Sequence, residues 1–200
     1  MSAVRTPRGT FNGGFTDTPV PELGAVAVRE AVACSSIPTA DIAQVFMGNA
    51  MPASRGQSPA RQASIFAGLP LSVDAITVNK VCTSGMKAVV LAAQQIQLGQ
   101  ASAAVAGGME NMTRVPLYTP RASQQPPFGE VKLHDGLIKG GLWDVYNNIH
   151  MGGCAENIAQ KLHISRAEQE SYAISSCERA QKAWSAGLFK QEFVPVTVES

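Results

Sequence analysis

Apolar and polar positions along the chain alternate between helical and extended spacings. Pro21 stands as a first-turn residue of a helix running to about Cys34, after an opening Gly-rich loop that lasts to Thr18. AQVFMGNA (43–50) reads as a short strand ending in a turn. ARQASIFAGLP (60–70) starts helical and stops at Gly68 and Pro70. DAITVNK (74–80) is β-branched and predicts the next strand. Beyond it Met86, Val89, Val90, Ala93 and Ile96 fall at helical spacing, with Lys87, Gln94 and Gln95 on the other side and Gly99 as the stop. ASAAVAGG (101–108) is small and nearly all apolar, as expected of a strand buried on both faces. Helices alternating with strands imply an α/β fold in which helices cover a parallel-rich mixed sheet.

The texture changes near Asn111. Residues 113–150 are rich in Pro, Gly and Gln, and loops this long tend to be functional. HMGGCAENIAQKL (150–162) restores helical patterning. Ser165 then stands three residues before Glu168, the signature of a capping box. Ala173, Cys177, Ala180 and Trp184 follow on one helical face, Glu178 with Lys182 makes a possible exposed pair, and Gly187 ends the run. EFVPVTVES (192–200) alternates as a strand.

Composition narrows the function classes. The 200 residues are 45% hydrophobic and 16% charged, enough for a core, and the net charge of +1 gives no electrostatic case for nucleic acid. No apolar stretch reaches the length of a membrane span. The opening MSAVRTPRGTFNGG has two arginines and no acid, but it lacks the apolar core of a secretory signal, so no targeting segment is visible. Cys34, Cys82, Cys154 and Cys177 are widely spaced, and His134, His150 and His163 are scattered. That pattern offers neither a metal cluster nor a disulfide framework, and all four cysteines read as reduced thiols.

Cys82 is the residue with chemistry in its setting. In VNKVCTSGMKAVV (78–90) it joins a strand to a helix, and a helix N-terminus favours the nucleophilic thiolate. Such a turn also lies at the carboxyl end of a parallel sheet, where open α/β folds bind ligands. The alternative is a buried small hydrophobe, the common fate of a free cysteine. VAGGMENM (105–112) is equally two-sided, its glycines admitting either a ligand or close packing, and Glu110 with Asn111 reads equally as a solvated turn. His150, followed by Met151, Gly152 and Gly153, either lines a pocket or simply begins a helix.

Six segments resolve part of this. AVRTPRGTFNGGF, GNAMPASRGQSPARQA, VNKVCTSGMKAV, VAGGMENMTRVP, YNNIHMGGCAENIA and SRAEQESYAISS follow one another in the order and spacing of the thiolase family. The chain resembles that family over its whole length, and most closely its acetyl-CoA acetyltransferase branch of the mitochondrial acetoacetyl-CoA type.

The resemblance implies an incomplete thiolase-like N-terminal domain at 1–113 without its first strand, a loop and CoA-channel region at 114–192, and the start of a strand at 193–200. It makes Cys82 the acyl-accepting nucleophile and His150 and Met151 substrate-binding residues. The substrates would be acetyl-CoA and acetoacetyl-CoA, with no cofactor and no metal. A homo-oligomer, dimer or tetramer, and a mitochondrial location, with the cytoplasm as alternative, are also implied.

Departures from the family pattern matter as well. The family's GGAxxxGHPxGxSG histidine motif, its C-x-G-G-G cysteine motif and its N-E-A-F asparagine have no counterpart in these residues. Cys177 stands where the mitochondrial branch has a tyrosine associated with potassium, which speaks against a potassium effect. SQQPPFG (123–129) carries two extra residues in the subunit-contact loop. The expectation is therefore a thiolase by lineage whose 200 residues alone do not turn over. The alternative is a non-catalytic protein that binds acyl-CoA or pairs with a thiolase subunit.

Overall fold

A computed structural model describes residues 1–121 and 130–198. The SQQPPFG insertion lies outside the described residues. Helix α1 (Val20–Ser35) carries Pro21 in its first turn and ends where Ser36 turns left-handed at φ 57°. Strand β1 (Ile42–Gly48), helix α2 (Pro59–Phe66), strand β2 (Asp74–Val78), helix α3 (Ser84–Gln97) and strand β3 (Ala103–Gly108) follow. The three strands form a parallel sheet in the order β2-β1-β3.

Strand β1 explains the layering. Its successive side chains point to opposite faces. Val45 and Met47 enter the core built with α1 and α2, through Val20, Val28, Ala60 and Ala63. Phe46 enters a second core with Val78, Ala88 and Ala92 under α3. Each such large apolar side chain contributes about 1.5–3 kcal/mol when fully buried. Helices therefore cover both faces, as the alternating elements predicted.

Two packing expectations fail. Strand β3 is half-buried instead of enclosed, because among the described residues it is an edge strand with β1 as its single neighbour in the sheet. On α3 the buried residues are Ser84, Ala88 and Ala92, whereas Met86 is 72% and Val89 53% exposed. Val90, Ala93 and Ile96 are exposed too. The helix runs so close to the sheet that small residues fit beneath it. An apolar side chain at helical spacing marks a helix without telling which side meets the sheet.

Beyond Asn111 the structure thins. Strands β4 (Leu117–Tyr118) and β5 (His134–Asp135) form one antiparallel pair. A π-helical turn at Ile138–Leu142 precedes a second pair, β6 (Trp143–Asp144) with β7 (Ile149–His150). Helix α4 (Met151–Lys161) and helix α5 (Arg166–Ser185) bury no residue, so the face of Ala173, Cys177, Ala180 and Trp184 is open. The capping box at Ser165 and Glu168 is present in both directions. The i,i+4 ion pair of α5 is Arg166 with Glu170 at 2.8 Å, not Glu178 with Lys182. No helix of the described residues is long and apolar enough to cross a membrane.

The expected strand at 192–200 reduces, within the described residues, to one bridge between Phe193 and Arg5. A strand needs a ladder, and only the Arg5 segment offers bonds there: Arg5 N–H donates to Glu192 O at 2.8 Å and Val194 N–H to Arg5 O at 2.9 Å. The Arg5 guanidinium lies 4.8 Å from the ring centres of both Phe189 and Phe193, and its Nε is 3.0 Å from Glu192.

Candidate active site

Three glycines fix the geometry at the carboxyl ends of the strands. A Cβ on Gly48 would come within 2.5 Å of the Gly85 nitrogen, and one on Gly108 within 3.4 Å of the Gly85 Cα. Backbone thus packs on backbone where β1, β3 and the first turn of α3 meet. At Gly48 no other residue permits that approach, while at Gly108 a Cβ would make ordinary contact. The N-terminus of α3 is held down on the sheet, and the turn before it carries Cys82.

That turn is strained and tied. Val81 sits at φ 49°, a left-handed conformation that costs a β-branched residue about 1–3 kcal/mol. Ser84, 4% exposed, holds it from the helix side. Its hydroxyl accepts from Lys80 N–H at 2.8 Å and donates to Val81 O at 2.6 Å. Thr83 and Ser84 N–H groups donate to Lys80 O and Val81 O, each at 3.1 Å. From the sheet side, Val81 N–H donates to Asn79 Oδ1 at 3.0 Å. Cys82 is left exposed at the apex, so it is not the buried small hydrophobe that was its alternative.

The polar residues that follow each strand form a connected base under this turn. Glu110 accepts from Asn49 Nδ2 at 2.9 Å, Ala50 N–H at 2.7 Å and Met51 N–H at 3.1 Å. It is half-buried and fully engaged, the opposite of a solvated turn. Asn111, 8% exposed, donates to Phe15 O at 2.7 Å and Thr18 O at 3.0 Å. Arg55 joins the two loops by donating to Met51 O at 3.4 Å and Asn111 O at 2.9 Å. Burial pulls the Arg55 guanidinium below its ordinary range, and the Glu110 charge opposes that shift. Asn49, Asn79 and Arg55 were not singled out from the sequence. The available signal was position: each parallel strand runs out into an asparagine or glutamate.

The other candidate residues lie elsewhere in the fold. His150 is the N-cap of α4, where its Nδ1 accepts from Gly152 N–H at 3.0 Å. In the neutral ring this leaves the proton on Nε2, a donor without a partner among the described residues. Met151 opens the same helix and is exposed. Cys34 donates to Glu30 at 3.4 Å, and that hydrogen bond pushes its thiol up. Burial, then the Asp144 carboxylate at 3.6 Å, pushes Cys154 up as well. Both are therefore weaker sources of thiolate. A cleft of about 400 Å³ opens beside Glu110 and Asn111, lined also by Arg8, Phe11, Phe15 and Leu23; Cys82 does not line it. Among the described residues no three His, Cys, Asp or Glu side chains come together as a metal-ligating group.

The family described as thiolase, N-terminal domain, matches residues 1–200. The chain is 60% identical over 199 residues to a mitochondrial acetyl-CoA acetyltransferase, erg10A, of Aspergillus fumigatus, covering 100% of this chain and 46% of that protein. It is 48% identical over 198 residues to the mitochondrial acetyl-CoA acetyltransferase of Mus musculus, covering 99% and 46%. Among solved structures, the Acat5 thiolase from Ascaris suum, in complex with coenzyme A, superposes with a TM-score of 0.94 at 41% identity. That match covers 98% of this chain and 51% of the other. The chain spans about half the length of the relatives it matches.

Proposed function

The chain belongs to the thiolase family, and on that premise we propose that Cys82 accepts the acetyl group in an acetyl-CoA acetyltransferase. The Cys82 thiolate attacks the thioester carbonyl of acetyl-CoA. The carbon–sulfur bond to CoA breaks, the CoA thiolate takes up the proton that Cys82 gave up on ionising, and an acetyl-cysteine remains. A second acetyl-CoA, once its α-carbon loses a proton to a base, attacks that thioester to give acetoacetyl-CoA and regenerates Cys82. The reverse direction cleaves acetoacetyl-CoA with CoA. By resemblance to the family, the backbone N–H of Cys82 supplies one donor to the developing oxyanion, those of Thr83 and Ser84 being bonded to Lys80 O and Val81 O.

One observation carries the reading: an exposed thiol on a strained turn, held at the carboxyl end of a parallel sheet by glycine contacts. His150, whose Nε2 has no partner among the described residues, and Met151 stand as substrate-binding residues, and the substrates are coenzyme A thioesters. The sheet ends at Gly108 and the short ladders begin at Leu117, which supports a division near 113/114 between the nucleophile-bearing domain and the loop region that borders the CoA channel. A mitochondrial location rests on the names of the relatives. Assembly as a homo-oligomer rests on family alone.

A second reading is that these residues bind acyl-CoA without turnover. It is favoured by the surroundings of Cys82, since among the described residues the hydrogen-bonded thiols are Cys34 and Cys154 and no base is bonded to the Cys82 sulfur. Incubating a polypeptide of these 200 residues with acetyl-CoA, followed by peptide mass spectrometry, separates the two. The expected result is slow acetylation confined to Cys82, absent in Cys82→Ala, with no acetoacetyl-CoA cleavage. Label on Cys34, Cys154 or Cys177 instead would overturn the assignment of the nucleophile. Turnover that Cys82→Ala abolishes would show that no further groups are needed.

A further inference from the structure

We infer that Glu110 is a positioning residue for Cys82, acting through Ala50 and Asn79 on the turn that carries the thiol. This inference rests on the reading of Cys82 as the nucleophile.

The path is a continuous set of hydrogen bonds. Three donors meet the Glu110 carboxylate: Asn49 Nδ2, Ala50 N–H and Met51 N–H. Bonds to an ionised acceptor are stronger than neutral ones, and two of these donors belong to the backbone, so the 49–51 segment has one position. Its Ala50 carbonyl accepts from Asn79 Nδ2 at 3.2 Å. The other end of the same amide, Oδ1, accepts from Val81 N–H at 3.0 Å. Val81 is the strained residue, at φ 49°, directly before Cys82. A strained conformation persists only where its surroundings over-determine it. Ser84 does so from the helix, and Asn79 from the sheet.

Asn79 cannot fulfil that role unaided. It is exposed and follows the end of β2, so its side chain is directed by whatever fixes its amide. Ala50 O is that anchor, and Glu110 fixes Ala50. The buried Met51 extends the consequence: its side chain lies against Gly140 and Gly141 of the π-helical turn, where a Cβ on Gly140 would stand 3.5 Å from its sulfur. One carboxylate therefore registers both the nucleophile's turn and the loop region to the end of β3. Removing it leaves two backbone N–H groups without their acceptor and the buried Asn49 amide with Met109 O alone, at 3.4 Å.

The test compares Glu110→Ala, Asn79→Ala and the double variant in the 200-residue polypeptide. Three quantities are read: acetyl transfer from acetyl-CoA to Cys82, iodoacetamide labelling of Cys82 with Cys34 as internal reference, and amide hydrogen exchange at Val81–Ser84 relative to α1. Acetyl transfer needs an oriented thiol, and small displacements cost about a hundredfold in such steps. The expected result is a loss of about tenfold or more in acetyl transfer for each single variant. Alkylation of Cys82 stays within about twofold, amide exchange at Val81 accelerates, and the double variant loses nothing further.

Acetyl transfer at the parental rate in Glu110→Ala, or losses that multiply in the double variant, would overturn the inference. Should Glu110→Ala not fold, Glu110→Gln keeps the shape with one acceptor oxygen for three donors. A partial loss of about threefold is then expected, and no loss overturns the inference. If the parent polypeptide is not acetylated at Cys82, the nucleophile reading fails by itself. Amide exchange then decides for Glu110: acceleration at Val81 in the variant supports positioning, and an unchanged rate refutes it.

Discussion

Residues 20–111 and residues 143–198 are built from the same kinds of helix signal, yet they are held in opposite ways. In the first region α1, α2 and α3 each press on the sheet, and Val20, Val45, Ala60 and Ala63 are sealed from solvent. In the second, α4 and α5 bury nothing and are defined by what happens at their ends. His150 caps one, and the Ser165–Glu168 box caps the other. The first region is fixed by packing, the second by local hydrogen bonds. The candidate nucleophile belongs to the packed region, while the candidate substrate residues His150 and Met151 belong to the locally held one. The thiol thus stands at the start of a packed helix, and the candidate substrate residues on a segment with few tertiary constraints.

The largest expected effect that sharpens this contrast is Met47→Ala. Met47 is 2% exposed and fills the core between β1 and α1–α2. Truncating a buried methionine costs about 2–5 kcal/mol. Denaturant unfolding of the 200-residue polypeptide should show a loss in that range, whereas Trp184→Ala on α5, 61% exposed, should move the same midpoint little. Equal losses would mean that α5 shares the core's cooperativity, and the two-region description would fall.

What was legible in the sequence follows the same line. Elements defined by period or by end signals were readable: Pro21 opens α1, β-branched residues mark β2, Gly99 and Gly187 close helices with φ of 70° and 68°, and the Ser165 box is formed as its spacing predicted. Cys82 was legible as a strand-to-helix junction. What the sequence did not disclose depends on distances between segments far apart in the chain. Glu110 reads as a surface turn until Asn49, Ala50 and Met51 are brought to it. The Gly48–Gly85–Gly108 contact needs three elements at once. The half-burial of β3 depends on its place at the edge of the sheet.

A smaller effect is predicted in the locally held region, and it depends on pH. The Ser165 backbone N–H, then its hydroxyl, hold the Glu168 carboxylate below its ordinary value near 4.5. A carboxylate with a lowered folded value stabilises the helix start fully above that ordinary value. The contribution is lost as pH falls through the lowered one. Acidification should therefore fray the first turn of α5 before the sheet responds, read as loss of protection of the Glu168 amide in the whole polypeptide. Glu168→Gln should flatten that pH dependence. Ser165→Ala, which removes the cap itself, should cost about 0.5–2 kcal/mol of helix stability. If the amides of β1 lost protection over the same pH interval, the end-capped and packed regions would not be separate.

The smallest expected effect is the most discriminating, because periodicity and structure disagree about it. Met86, Val89 and Ile96 mark α3 as amphipathic, and if that side met the sheet, Met86→Ala would cost the about 2–5 kcal/mol of a core truncation. The structure instead seats α3 on Ser84, Ala88 and Ala92, with Met86 72% exposed. A substitution on such a surface stays within about 0.5 kcal/mol. Unfolding of Met86→Ala in the 200-residue polypeptide should thus match the parent. The counterpart Ala88→Leu, forced between α3 and Phe46, should cost about 1–3 kcal/mol through overpacking. A core-sized loss at Met86 would mean that α3 is rotated about its axis from the orientation described. Gly85 would then no longer face Gly48 and Gly108, and the contact that seats the turn of Cys82 on the sheet would be lost with it.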